Sequence, residues 1–127
     1  MGNFSDDMSE RFLVFVVNMI KLEKQLCKTY SGRHIYGQLF RAGTSAGANY
    51  EEARAGESRA DFIHKLQIVL KELRESHFWI KLTIAGKFTS SEDEVLKFLI
   101  TESKELVSIS AKSVVTAKSK IAKNSSR

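Results

Sequence analysis

The stretch Arg41–Ala53, RAGTSAGANYEEA, decides how this chain folds. Good helix formers flank it on both sides, yet it contains Gly43, Gly47, Thr44, Ser45 and Asn49, and the whole chain has no proline. A loop, a phosphate cradle and a helix with a narrow face are the three readings. At about 100° per residue, Ile35, Leu39, Ala42, Ala46, Asn49 and Ala53 fall on one stripe. Tyr36, Phe40, Gly43, Gly47 and Tyr50 fall on the adjacent one. Both stripes are apolar at their ends and very small in the middle. A helical glycine costs about 1 kcal/mol relative to alanine, so two of them need a compensating gain. Close approach of a neighbouring helix supplies one. A glycine-rich phosphate loop needs a strand before it, and HIYGQLF has helical spacing instead. The stretch is therefore read as a helix, with Gly43, Gly47 and Asn49 as packing positions. Asn49 lies on the core stripe, where its amide needs hydrogen-bond partners.

Working outward, apolar residues recur every three to four positions almost throughout. A first segment runs from about Ser5 to Lys28, with Phe12, Phe15, Val16, Met19, Leu22 and Leu26 as its stripe. YSGR breaks it, with Gly32 suited to a left-handed turn. A second runs from about Arg33 to Ala55. A third begins at Ser58, carries Phe62, Leu66, Leu70, Leu73, Ile80 and Ile84, and closes at Gly86. A fourth opens with Ser91 and carries Val95, Leu99, Leu106, Ile109 and Val114. Each is about 35 to 45 Å long at 1.5 Å per residue, and the connections are short. Short connections between long helices predict antiparallel neighbours. The expected fold is all-α, an antiparallel up-down-up-down four-helix bundle over residues 1–121. A disordered basic C-terminal tail is expected over 122–127.

Charge is unevenly placed. The net charge is +5, and all 15 acidic residues lie at or before Glu105. The excess comes from Lys112, Lys118, Lys120, Lys123 and Arg127. One end of the bundle is therefore expected to be basic, and such an end attracts phosphate backbones or acidic partners. The four lysines are the candidate nucleic-acid contacts. A solubilising tail is the competing reading. The single cysteine, Cys27, rules out an intramolecular disulfide and fits a reducing cytoplasm. MGNFSDDM has neither a basic start nor an apolar core, and the longest apolar run, Phe12–Val17, is too short to span a bilayer. A cytoplasmic protein without membrane contact is expected.

The third segment is apolar on two sides. Its inner stripe leaves Ile68, Phe78, Trp79 and Leu82 on another face, more than one small core can cover. Those four residues are the expected oligomer interface.

The residues from Gln38 to Leu82 carry a resemblance. QLFRAGTSAGANYEEARAGESRADFIHKLQIVLKELRESHFWIKL resembles the four helix bundle proteins of bacteria also called 23S rRNA-intervening sequence proteins. The combination of GTS.GAN..EA with S.ADF..KL.I...E..E...W is specific, and the helix plan extends it over nearly the whole chain. Many relatives carry Ile-Pro where this chain has Ala46-Gly47, which removes a kink. The resemblance implies a four-helix protomer assembling as a homo-oligomer, in known cases a pentamer, with no established enzyme activity. Some relatives are encoded inside intervening sequences of large-subunit ribosomal RNA genes. A related accessory protein of diversity-generating retroelements binds nucleic acid and a reverse transcriptase. The resemblance thus raises RNA or DNA as a partner.

Catalytic signatures are missing from the sequence. None of His34, His64 and His77 sits in HExxH, and only Asp61 and His64 have the spacing of a bundle di-iron unit. No nucleophile elbow or Walker motif occurs. No cofactor, metal or small-molecule substrate is expected. Counting from the turns, Glu23, Arg74 or Glu75, and Glu102 fall at one level near Arg41. Paired carboxylates there would be the only acid/base candidates. Three functions follow: a non-enzymatic oligomer binding RNA or DNA backbone through its basic ends, a structural or protein-binding oligomer, and an enzyme using Glu75 and Glu102.

Overall fold

The computed structural model describes residues 3–90 and 92–125. These are all-α, without strands: α1 (Phe4–Ile20), α2 (Glu23–Leu26), α3 (Tyr30–Arg54), α4 (Arg59–Ala85) and α5 (Glu94–Ser125). They pack as a helical bundle, with α3 against α1 and α4, and α5 against α4 and α1.

The first expected helix is divided. After Ile20 the chain tightens, and the Leu22 N–H bonds Met19 O at 2.9 Å before the single turn of α2. The bend keeps the stripe inward: Phe12, Phe15, Met19, Leu22 and Leu26 are all buried. The break to α3 also comes earlier than YSGR. Thr29 Oγ1 accepts from the Gly32 N–H at 3.0 Å and caps α3, so YSGR is its first turn. Gly32 takes no left-handed conformation. It is needed because a Cβ there would lie 1.8 Å from Leu26 O.

Ser58 caps α4 by accepting from the Asp61 N–H. At the other end of α4 the left-handed residue is Lys87, with φ 56°, rather than Gly86. The Phe88 N–H reaches Thr83 O and the Lys87 N–H reaches Ile84 O, a Schellman closure. The inner face of α4 is Leu66, Val69, Leu73, Ser76, Ile80 and Thr83. Leu70 and Ile84, expected inside, are more exposed than these. Ser91 lies outside the described residues. The cap of α5 is Asp93, whose Oδ1 accepts from the Leu96 N–H at 3.1 Å. Helix α5 continues past residue 121 to Ser125, and residues 126–127 of the expected tail lie outside the described residues.

The narrow helix is α3. Ala42, Gly43, Ala46 and Ala53 are buried between its larger end residues. At Gly43 a Cβ would meet Met19 Sδ at 2.4 Å and Cε at 2.6 Å, and Met19 is fully buried. Gly47 differs from expectation: a Cβ there would meet only Phe12 Cβ, at an ordinary 3.7 Å. Asn49 also differs. It is half-buried, and its Nδ2 donates to Ser45 O and Oγ on its own helix. The buried polar residue of that turn is Tyr50, stacked on Phe12 with its hydroxyl on Ser5.

Two arginine clamps tie neighbouring helices at the edge of the core. Arg11 on α1 grips Glu102 on α5 with Nε at 3.0 Å and Nη2 at 2.6 Å, and reaches Glu105 at 2.7 Å. Arg41 on α3 holds Glu72 on α4 at 3.1 Å and also Glu75. Glu72 and Glu102 are buried, so each needs its partner: a buried carboxylate left unpaired is strongly unfavourable. No described buried side-chain polar atom lacks a hydrogen bond.

Two outcomes follow for chemical denaturation. Gly43→Leu is expected to lower stability by about 1–3 kcal/mol or more, because the new side chain must displace the buried Met19 thioether. Gly47→Ala should instead raise it by up to about 1 kcal/mol through helix propensity; equal losses at both positions would contradict the packing just described. Arg11→Met should lose about 1–3 kcal/mol by leaving Glu102 unpaired, and Glu102→Gln in the same chain should recover part of that loss.

Candidate nucleic-acid interface

Three of the chain's segments meet where α1 and α4 begin and α5 nears its end. They enclose a cleft of about 630 Å³. Phe4 and Phe62 supply apolar walls, and Arg59, Lys112 and Lys120 supply charge. The helical repeat explains the set from α5: Lys112, Thr116 and Lys120 follow one another at i, i+4 and i+8 along one face. Arg59 is the first residue after the Ser58 cap, so its side chain stands at the mouth of α4. None of the three cations takes part in an ion pair or hydrogen bond within the described residues. Phe4 is largely exposed.

Of the four expected lysines, the cleft gathers Lys112 and Lys120. Lys118 is displaced by about 160° from Lys120 around the helix and is absent from the lining. Lys123 is exposed on the last turns of α5 and does not line the cleft either. Arg59 escaped the sequence reading because it sits in a locally neutral part of the chain. Its signal was positional: a residue opening the third helix lies at the same end as the close of the fourth.

The expectation of a basic end needs correction. The acidic starts of α1 and α4 and the acidic end of α3 lie at that same end. Arg54 joins Asp6, Ser9 and Glu51, and Lys65 joins Glu52. Hydrogen bonding to Arg54 holds the Asp6 carboxyl below its usual range. Acids and bases are therefore mixed at that end, with Arg59, Lys112 and Lys120 on the cleft.

The supposed level of acid/base residues is divided between the two clamps. Glu102 belongs to Arg11, and Glu75 belongs to Arg41. Glu75 also accepts from Trp79 Nε1 at 3.0 Å. That indole bond, with Arg41 beside it, holds the Glu75 carboxyl below the usual range. Arg74 enters neither clamp. Among the described residues no three His, Cys, Asp or Glu side chains converge as a metal site.

The expected interface on α4 is partly covered within the protomer. Trp79 packs on the core and meets His34 and Phe78 edge-on. Ile68 and Leu82 are half-buried, and only Phe78, 51% exposed, stands clear. More apolar surface lies on α1. Leu13, Val14, Val17 and Ile20 are exposed, with Leu13 at 63%. Leu13 borders a groove of about 280 Å³ whose floor includes Gly47 and Ala48 of α3. The pattern was legible in RFLVFVVNMI, an apolar run broader than one stripe. No helix among the described residues is long and apolar enough to cross a membrane.

Comparison with known proteins agrees with this architecture. No curated protein matches the chain. A crystal structure of a protein of unknown function from the S23 ribosomal protein family of Bacteroides thetaiotaomicron is similar, with a TM-score of 0.74 and 33% identity. The match covers 84% of this chain and 96% of that one. The model for the 23S rRNA-intervening sequence protein family matches residues 7–111, from the first turns of α1 to the middle of α5. The chain belongs to the 23S rRNA-intervening sequence protein family.

Proposed function

We propose that this protein is a non-enzymatic homo-oligomer of the cytoplasm that binds RNA or DNA through its phosphate backbone. The protomer is read as an antiparallel up-down-up-down bundle and the assembly as a pentamer. The observation that carries the binding reading is the cleft, where three unpaired cations stand beside exposed aromatic surface. Cations contact phosphates whatever the sequence, and aromatic faces accept any base. Single-stranded nucleic acid therefore suits the cleft, and the family's description makes 23S ribosomal RNA the first probe to use. The bundle topology is supported by pairs such as Ser5 with Tyr50, Gly43 with Met19, and Arg41 with Glu72. The lone thiol, Cys27, suits a reducing compartment.

Self-association is supported by the α1 face. Leu13, Val17 and Ile20 repeat at helical spacing with nothing over them in the protomer, and exposed apolar stripes of this kind mark interaction surfaces. Gly47 gains a purpose in this reading. It keeps open the groove beside Leu13, where a neighbouring subunit's side chain can enter. The same face favours the second reading, a protein-binding oligomer without a nucleic-acid role.

Repetition of one cleft around an oligomer adds weak contacts into useful avidity. Three phosphate contacts per protomer give a slope of about −2 in log K against log salt for single strands. Changing Arg59, Lys112 and Lys120 together to Gln should abolish binding in a salt titration and leave helicity intact. Lys118→Gln should bind almost as the parent does. If the unaltered protein shows no salt-dependent binding to RNA or DNA near about 50 mM salt, the protein-binding reading replaces this one.

Light scattering at micromolar concentration should return the pentamer mass. Val17→Glu and Gly47→Leu should each yield smaller species that remain helical. A monomeric parent protein, or a pentamer indifferent to both changes, would overturn the assignment of the α1 face.

A further inference from the structure

A second group of cations lies on another side of α5, along its outer seam with α4. Arg74, His77 and Lys81 succeed one another on α4 at i, i+3 and i+7, one helical stripe about 10 Å long. Lys104 faces them from α5. Two adjoining hollows form there. One, of about 420 Å³, is lined by Arg74, His77, Lys104 and Val107. The other, of about 270 Å³, is lined by His77, Lys81 and Lys104 with Ile84, Ala85 and Ile100. His77 and Lys104 are common to both, and each hollow adds one cation of its own. No carboxylate lines either hollow. Arg74, Lys81 and Lys104 make no described ion pair, although the same two helices also carry four clamped glutamates, Glu72, Glu75, Glu102 and Glu105.

Like charges so close together repel unless an anion lies between them. Arg74, Lys81 and Lys104 fill no core position and close no clamp. The chemistry that would balance them is a pair of linked oxyanions, one per hollow, sharing the two central groups. We propose that the α4/α5 seam is a binding site for linked phosphate groups, held by Arg74, Lys81 and Lys104 and by the His77 imidazole.

His77 gives the site a pH dependence with a definite sign. Ser103 Oγ lies 2.7 Å from His77 Nδ1, and which of the two donates depends on the imidazole tautomer. Neutral His77 has one N–H, and protonation makes both ring nitrogens donors. The charged groups around the ring are Arg74 and Lys81 on α4 and Lys104 on α5. Partial burial, then Lys81 and Lys104, hold its pKa below the usual histidine value. In the free protein His77 therefore resists protonation, and stability is lost as pH falls from the unfolded histidine value through the lower folded one. A bound polyanion reverses that penalty, so binding and protonation of His77 reinforce each other.

This site shares no residue with the cleft of Arg59, Lys112 and Lys120, so the two readings fail separately. The test is calorimetric titration of the full chain with inorganic pyrophosphate and with orthophosphate at pH 6 and pH 8. His77 is followed by NMR, with His34 and His64 as internal references. Pyrophosphate should bind at least tenfold more tightly than orthophosphate and raise the His77 midpoint while leaving the other two unmoved. Arg74→Gln, Lys81→Gln or Lys104→Gln should each weaken it severalfold. His77→Gln should lower the ratio of affinities at pH 6 and pH 8, and the ligand's own protonation acts equally in both proteins. The triple change at Arg59, Lys112 and Lys120 should leave pyrophosphate binding intact. Binding lost on that triple change but kept in the seam variants would overturn the proposal, as would His77 resonances indifferent to pyrophosphate. Displacement of pyrophosphate by a short single-stranded oligonucleotide would identify the source as successive phosphates of a strand; failure to displace it would identify a free polyphosphate.

Discussion

The width of α3 is the constraint from which the rest of the structure follows. This helix meets both α1 and α4, and its middle is reduced to Ala42, Gly43 and Ala46. Met19 fills the space that a side chain at position 43 would take. Small residues bring backbones close and let dispersion contacts accumulate over the whole length of the pair. That gain offsets the poor helix propensity of glycine. Large residues compensate at each end, with Phe12 stacked on Tyr50 on one side and Leu22, Leu26 and Leu39 buried on the other.

Close packing of the apolar layer limits where charge can go. Glu72 and Glu102 are admitted to the interior because Arg41 and Arg11 come with them, each arginine also reaching a second glutamate nearer the surface. Such pairs contribute little net stability, yet a mismatched register would leave a charge unpaired. The clamps therefore help to select one arrangement of helices. Two groups of cations outside the clamps line hollows, one in the cleft at the bundle end and one at the seam between α4 and α5. Both lack carboxylates in their linings.

Particular residues mark the limit of what the chain alone conveyed. Helix positions followed from the 3.6-residue period and from Ser58 and Gly86, because those signals are local. The bend at Lys21 and the early cap at Thr29 were missed, since neither proline nor glycine marks them. Gly43 and Gly47 look alike in the sequence. Only the path of α1 separates them, by passing Met19 across the first and leaving the second beneath an open groove. Asn49 reads as core on a helical wheel, but the neighbouring helices cover Tyr50 more fully.

The amino-acid sequence by itself determined the helical class, the family and the presence of excess positive charge, all of which depend on composition, period or short-range pattern. Tertiary structure alone decided where that charge lies. Arg59 lies more than fifty residues from Lys112 in the chain, and Arg74 a full hairpin away from Lys104. Conversely, lysines as near as Lys118 and Lys120 are sent to different faces by the helical repeat. Electrostatic interaction depends on distance through space, and helix packing brings distant residues together while turning adjacent ones apart.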